Sequence, residues 1–213
     1  MFTAMTTSAQ WGAWLQGFGM CGGLIVAIGA QNAFLLGQAV RREHHYAVAA
    51  LCLLFDVLLI GIGVAGAGGL VAMYPAAASV ATWLGAGFVF WYGLGALRSA
   101  VRGGSLRAGR EEGLSLKRAL LITTVVTLLN PQAWLDTVVL IGSLSGTFEG
   151  GARWAFGVGA VSASAVWFLT LSAGGARLAP LFRRPGAWRV LDGTICLVMW
   201  GIAFSLVRGQ LAG

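Results

Sequence analysis

The stretch LLNPQAWLDTVVLIGSL, residues 128–144, lies in an apolar run of membrane length, yet it carries Asn130, Pro131, Gln132 and Asp136. A helix-interior proline removes one backbone hydrogen bond and displaces the carbonyl one turn earlier. That carbonyl must find another donor, or it coordinates a substrate or ion. A plain packing kink is the competing reading of Pro131 taken alone. Its polar neighbours shift the balance toward a polar site inside a membrane helix. A second such insertion occurs in GAQNAFLL, residues 29–36, where the adjacent carboxamides Gln31 and Asn32 follow Gly29.

The rest of the chain agrees with a membrane setting. Of 213 residues, 58% are hydrophobic and 10% charged, and the mean hydropathy is +0.81. Soluble domains run at about 45–50% apolar and about 25% charged residues. The 33 glycines are roughly twice average usage, and small residues let membrane helices approach closely. Gly19 with Gly23, and Gly142 with Gly146, are the spacings that fit such packing. The formal net charge of +7 does not point to nucleic acid, because the basic residues lie in short loops between apolar runs. Cys21, Cys52 and Cys196 sit within apolar runs without a CxxC pair and read as small buried hydrophobes. No positive region precedes the first apolar stretch, so a cleavable signal peptide is not expected.

A spanning helix needs about 20 mostly apolar residues. Six segments qualify, at about 13–39, 46–72, 79–99, 118–143, 153–176 and 187–208. Twelve of the 14 Lys and Arg residues fall in or beside the first, third and fifth loops; Arg153 and Arg208 are the other two. The positive-inside rule then places both termini outside and the loops joining spans 1–2, 3–4 and 5–6 in the cytoplasm. The expected fold is an all-α polytopic membrane protein. It is one transmembrane domain over 1–213, with repeat 1 at about 11–100, a cytoplasmic linker at about 101–117 and repeat 2 at about 118–209.

Three spans on each side of the linker run in opposite directions, because three is odd. QNAFLL at 31–36 aligns with QAWLDT at 132–137, and GAGFVFWYG at 85–93 with GTICLVMWG at 193–201. These matches and the topology favour an inverted repeat, with interruptions in spans one and four, at Gly29–Asn32 and at Asn130-Pro131-Gln132. Secondary transporters of this architecture bind substrate near the midplane at the repeat interface.

Of the seven acids, Glu43, Glu111, Glu112 and Glu149 belong to loops. Asp192, near the cytoplasmic end of span six and close to Arg189, reads as half of an interfacial ion pair. Asp56 is about eleven residues into span two, roughly 16 Å deep. Asp136 lies beyond the centre of span four unless that helix breaks at Pro131. An ionised Asp at mid-membrane costs on the order of 2.5–3.5 kcal/mol, and no Lys or Arg falls mid-span to neutralise either residue. Each acid is then protonated, faces a wet cavity, or awaits a cation from outside the protein. One acid from each half suits a cationic substrate or a proton, and exchange of the two on the same carboxylates provides coupling. His44 and His45, after Arg41 and Arg42, read as part of a solvated loop. Trp11, Trp14, Trp154 and Trp188 lie near span ends as interface anchors. Trp134 is mid-span and could line a pocket.

GAQNAFLLGQAVRREHH, LCLLFDVLLIGIG, LLNPQAWLDTVVLIGSL and WYGLGAL together resemble the LysE family of basic amino acid exporters, and most of all its arginine-exporter branch. The likeness covers nearly the whole chain, with the NPQAWLDT block its most specific part. It implies an inner-membrane secondary transporter, not an enzyme, that exports L-arginine or L-lysine under the proton motive force without a cofactor or bound metal. Its partners would be the cationic substrate and the lipid bilayer, and a homo-oligomer stays open. The functional residues it implies are Gln31, Asn32, Asp56, Asn130, Pro131 and Asp136. Family members usually read Gly-Pro-Gln-Asn at the first motif; here Ala30 replaces the proline, so a break in span one rests on Gly29 and the carboxamides.

Two other readings compete. A neutral amino acid exporter of the homoserine/threonine kind could use the acids for protons alone. A membrane thiol–disulfide carrier needs a reactive cysteine in each half, and span four has none.

Overall fold

The computed structural model describes residues 2–26, 29–67, 75–102, 113–180 and 185–212, and every regular element among them is a helix. In chain order these are α1 (Phe2–Ile25), α2 (Ala30–Arg41), α3 (His45–Ile62), α4 (Pro75–Arg102), α5 (Leu116–Leu128), α6 (residues 131–145), α7 (Gly150–Leu178) and α8 (Pro185–Ala212). A wider π-helical turn, Gly63–Ala67, continues α3. α6 is composite, with a π-helical Leu135–Ile141 between Pro131–Trp134 and Gly142–Ser145. The linker residues Arg107, Arg110, Glu111 and Glu112, and the loop residues Arg183 and Arg184, lie outside the described residues.

Three helical stretches among the described residues are long and apolar enough to cross a bilayer: His45–Gly66, Gly150–Leu178 and Arg189–Leu211. α1 and α2 qualify together as one broken span. Leu54, Val57 and Leu58 on α3, Val166 and Leu169 on α7, and Leu197 and Phe204 on α8 are exposed. So much uncovered apolar surface fits hydrocarbon surroundings rather than water. The protein is a helical, polytopic membrane protein.

The chain forms two compact units, and neither coincides with a sequence half. The first comprises Met1–Ala27, Leu53–Ala78 and Pro131–Phe168. Its apolar centre joins Ala13 and Cys21 of α1, Ile60 and Val64 of the α3 segment, Ile141 of α6, and Phe156, Ala160 and Ala163 of α7. Glycine sets how closely these elements approach. A Cβ at Gly17 would overlap the Phe156 carbonyl, and one at Gly159 would overlap the Trp14 carbonyl. Gly63 and Gly142 make a similar pair: a Cβ on Gly142 would sit 2.8 Å from the Gly63 oxygen, and one on Gly63 2.8 Å from the Val138 oxygen. Of the glycines anticipated from spacing, only Gly142 works this way. Gly19 and Gly23 face open space, and Gly146 meets its own preceding turn at Ser143. Spacing alone cannot say which side of a helix has a neighbour.

The second unit comprises Ile28–Cys52, Ser79–Asn130 and Leu169–Gly213. Its centre joins Ala30, Ala33 and Val40 of α2, Val89 of α4, Val126 of α5, and Leu191, Ile195, Met199 and Ala203 of α8. α2 ends in a tight turn in which Arg42 takes a left-handed conformation (φ 57°). Its N–H reaches the Ala39 oxygen, and the Glu43 N–H reaches that of Gln38, the pattern that usually recruits glycine to close a helix. Arg42 offsets the strain with an Nε donation to the Ala176 carbonyl at 3.1 Å.

Two expectations about this turn are corrected. His45 is not solvated: it is buried at the start of α3, with Nδ1 2.7 Å from the Ser172 hydroxyl. Asp192 pairs with Arg41 rather than the neighbouring Arg189, because tertiary packing brings α2 against α8. Of the aromatic anchors, Trp11 and Trp154 are exposed, and Trp14 stacks on Phe18 with centroids 5.3 Å apart. The Trp188 side chain lies outside the described ones.

Candidate functional site

The second unit contains two helix ends at one cleft. Gly29 is extended (φ −94°, ψ 177°), so α2 starts at Ala30, and no side chain caps its N-terminus. The first helical bond runs from Ala33 N–H to the Gly29 oxygen. The N–H groups of Ala30 and Gln31 precede that bond and therefore lack helical acceptors. They point the positive end of the helix dipole outward. At the other end, α5 stops at Leu128 because Pro131 has no N–H to offer the Thr127 carbonyl. The Asn130 N–H reaches that oxygen instead, at 3.3 Å.

Ala30 and Asn130 line one cleft together with Phe88, Val89, Val125, Val126, Leu129 and Ile202. A cationic helix end and an anionic one thus border a mostly apolar hollow. Three polar atoms in these elements are buried without a partner among the described residues: Gln31 Nε2 beside the cleft end of α2, Gln38 Oε1 farther along it, and Thr127 Oγ1 on α5. Asn32 is buried and Gln31 half-buried. Buried donors and acceptors are rarely left unmatched, so orphans mark places where water or a ligand completes the set.

The first unit contributes a different kind of site. Asp56 is 6% exposed and accepts a hydrogen bond from Ser164 Oγ to Oδ2 at 2.6 Å. Cys21 Sγ lies 3.5 Å from the same hydroxyl. A hydroxyl has one proton to give, and Asp56 receives it, so the thiol is the donor in the Cys21–Ser164 contact. α1, α3 and α7 thereby converge on one carboxylate. Among the described residues, Asp56 has no basic partner. Ser164 is placed by the buried face of α7, which repeats at Phe156, Ala160, Ala163 and Phe168.

Asp136 is half-buried within the π-helical segment of α6, and Trp134 is half-buried two residues earlier. A π turn widens the helix by one residue and recurs at functional sites. Pro131 begins α6; the side chains of Pro131 and Gln132 lie outside the described ones. Asp56, Trp134 and Asp136 belong to the first unit, and Gly29, Gln31, Asn32 and Asn130 to the second. Sequence reasoning did not single out Ser164 or Thr127. Both are single small hydroxyls in apolar helices, and only the packing distinguishes them from any other serine or threonine.

A helical membrane protein with broken helices and buried acids fits a transporter class, and the comparisons with known proteins supply the family. The chain matches the LysE type translocator family over residues 23–210, and it belongs to that family. The arginine exporter protein ArgO of Yersinia enterocolitica is 42% identical over 198 residues, covering 92% of this chain and 97% of the relative. The proteins of the same name from Serratia proteamaculans and Salmonella enteritidis are 40% and 39% identical, covering 90% and 93% of this chain and 94% and 95% of the relatives. No solved structure matches the chain.

Proposed function

We propose that this protein exports basic amino acids, L-arginine and L-lysine, across the bacterial inner membrane by proton-coupled alternating access. The observation that carries the reading is Asp56, a buried carboxylate whose described partner is a neutral hydroxyl. Such a group in a membrane suits an arriving cation or proton. The relatives named as arginine exporters support the cationic choice.

The helix ends of the second unit offer groups for the backbone ends of an amino acid. The uncapped N-terminus of α2 suits the α-carboxylate, and the terminal carbonyls of α5 suit the α-ammonium. Gln31, Asn32 and Asn130 supply adaptable amides around them. Asp56 and Asp136 divide the substrate cation and the coupling proton between them. In this reading residues 11–100 and 118–209 are inverted repeats joined by the cytoplasmic linker 101–117. The basic loops face the cytoplasm, and both termini lie outside. The two repeats rock about a central site.

The test is transport in proteoliposomes with labelled arginine, lysine and threonine, with and without a pH gradient. Arginine or lysine exchange accelerated by the gradient is the expected result. Exchange of threonine without arginine or lysine sinks the cationic reading in favour of the neutral one.

A further inference from the structure

One end of the second unit holds an ion pair that the transport site does not use. Arg41, the last residue of α2, donates from Nη2 to Oδ1 of Asp192 on α8 at 2.8 Å. The two partners are unequal, with side chains 36% and 4% exposed respectively. A carboxylate this deep favours a cation beside it, because removing that cation leaves buried charge poorly compensated. The guanidinium sits on a long flexible stem that reaches water, so it is the half that can leave.

From this pair, α2 and α8 run antiparallel toward the cleft. Gly37 faces Ile195, whose Cδ1 would lie 3.3 Å from a Cβ at position 37. Farther along, Ala30 and Ile202 line the cleft itself. The distance along α2 is about 16 Å at 1.5 Å per residue. α4 completes the seam. Tyr92 lies within electrostatic reach of both Arg41 and Asp192, and its ring meets Phe34 edge-on at 5.7 Å. One turn earlier, Phe88 and Val89 line the cleft. A single seam of α2, α4 and α8 therefore joins the ion pair to the helix ends.

We propose that Asp192 is a loading carboxylate for the cationic side chain of the exported amino acid, occupied by Arg41 as an internal stand-in until substrate displaces it. The inference rests on the basic amino acid reading above. Arginine ends in the same planar guanidinium as Arg41 and presents the same fork of donors to a carboxylate. Exchange of one guanidinium for the other keeps Asp192 paired throughout, while Arg41 swings to water. A neutral amino acid has no side-chain cation with which to displace Arg41, and its α-ammonium carries the α-carboxylate beside it. The pair therefore sorts substrates by side-chain charge before they reach the cleft. Lysine carries a compact ammonium instead of a fork, so this step favours arginine over lysine.

The test follows thermal unfolding of the full-length protein in detergent with methylguanidinium, arginine or citrulline, the uncharged isostere of arginine. In Arg41→Met, methylguanidinium and arginine should raise the melting temperature with concentration, as binding to the folded state requires, and citrulline should not. Asp192→Asn should lose the methylguanidinium response. If Arg41 holds the site nine times in ten, its removal tightens apparent arginine binding roughly tenfold. Should Arg41→Met fail to fold, Arg41→Lys keeps the charge with a weaker fit, and its half-saturating arginine concentration should fall below that of the wild type. A folded Arg41 variant that responds to methylguanidinium and arginine no more than the wild type overturns the proposal. Arginine export by wild-type vesicles is measured in parallel. Failure of export with the methylguanidinium response intact overturns arginine as the substrate and leaves Asp192 as a guanidinium site.

Discussion

Asp56 and Asp192 are both buried carboxylates, 6% and 3% exposed, and their surroundings differ in one respect. Asp56 is held by the Ser164 hydroxyl, whereas Asp192 is held by the Arg41 guanidinium. A hydroxyl orients a carboxylate without neutralising it, so Asp56 keeps its capacity for a cation or proton. A guanidinium satisfies both charge and geometry, so Asp192 binds something else only by exchange. The difference separates a group poised for transport from one that is already occupied.

Asp56→Asn breaks the comparison most severely. We expect export to fall to background while membrane insertion persists, measured by transport in vesicles with matched protein content. Persistence of export would reduce Asp56 to a packing residue. Next comes Arg41→Met, which leaves Asp192 buried without this partner. Its cost should lie toward the lower end of about 3–5 kcal/mol, because Arg41 is partly exposed and water screens exposed pairs. Thermal unfolding reads it, and Arg41→Met combined with Asp192→Leu should recover most of the loss.

Ser164→Ala sharpens the Asp56 side. It removes a hydrogen bond worth about 1.5–3 kcal/mol to a charged acceptor, and export should drop without vanishing, since the carboxylate remains. Gly157→Ala serves as its control, lying on the same helix but meeting the Val64 side chain instead. Overpacking there should cost about 1–3 kcal/mol, with vesicle export per folded molecule closer to the wild type than in Ser164→Ala. His45→Phe is the mildest change. Loss of its bond to Ser172 should cost about 0.5–1.5 kcal/mol and leave arginine binding intact.

The membrane class was readable because hydropathy is a property of composition, and the segments rich in apolar residues are where the long helices lie. The break after Leu128 was also readable, since Pro131 carries its own reason for it. Gly29 was harder: with Ala30 rather than a proline after it, nothing local forces an interruption, yet Gly29 is extended and α2 begins beside it. Residues acting across the fold left no trace. Ser164 meets Asp56 from 108 positions away, and Arg41 meets Asp192 from 151; the nearer Arg189 looked the better partner.

The sequence by itself determined a basic-looped membrane protein with amides at two helix interruptions and acids inside its spans, because hydropathy, proline chemistry and charge are local. The tertiary structure decided which hydroxyl holds Asp56, which arginine holds Asp192, and which glycines bring helices together. Those outcomes depend on which faces of distant helices meet, and helical spacing specifies a face without naming the neighbour it will find.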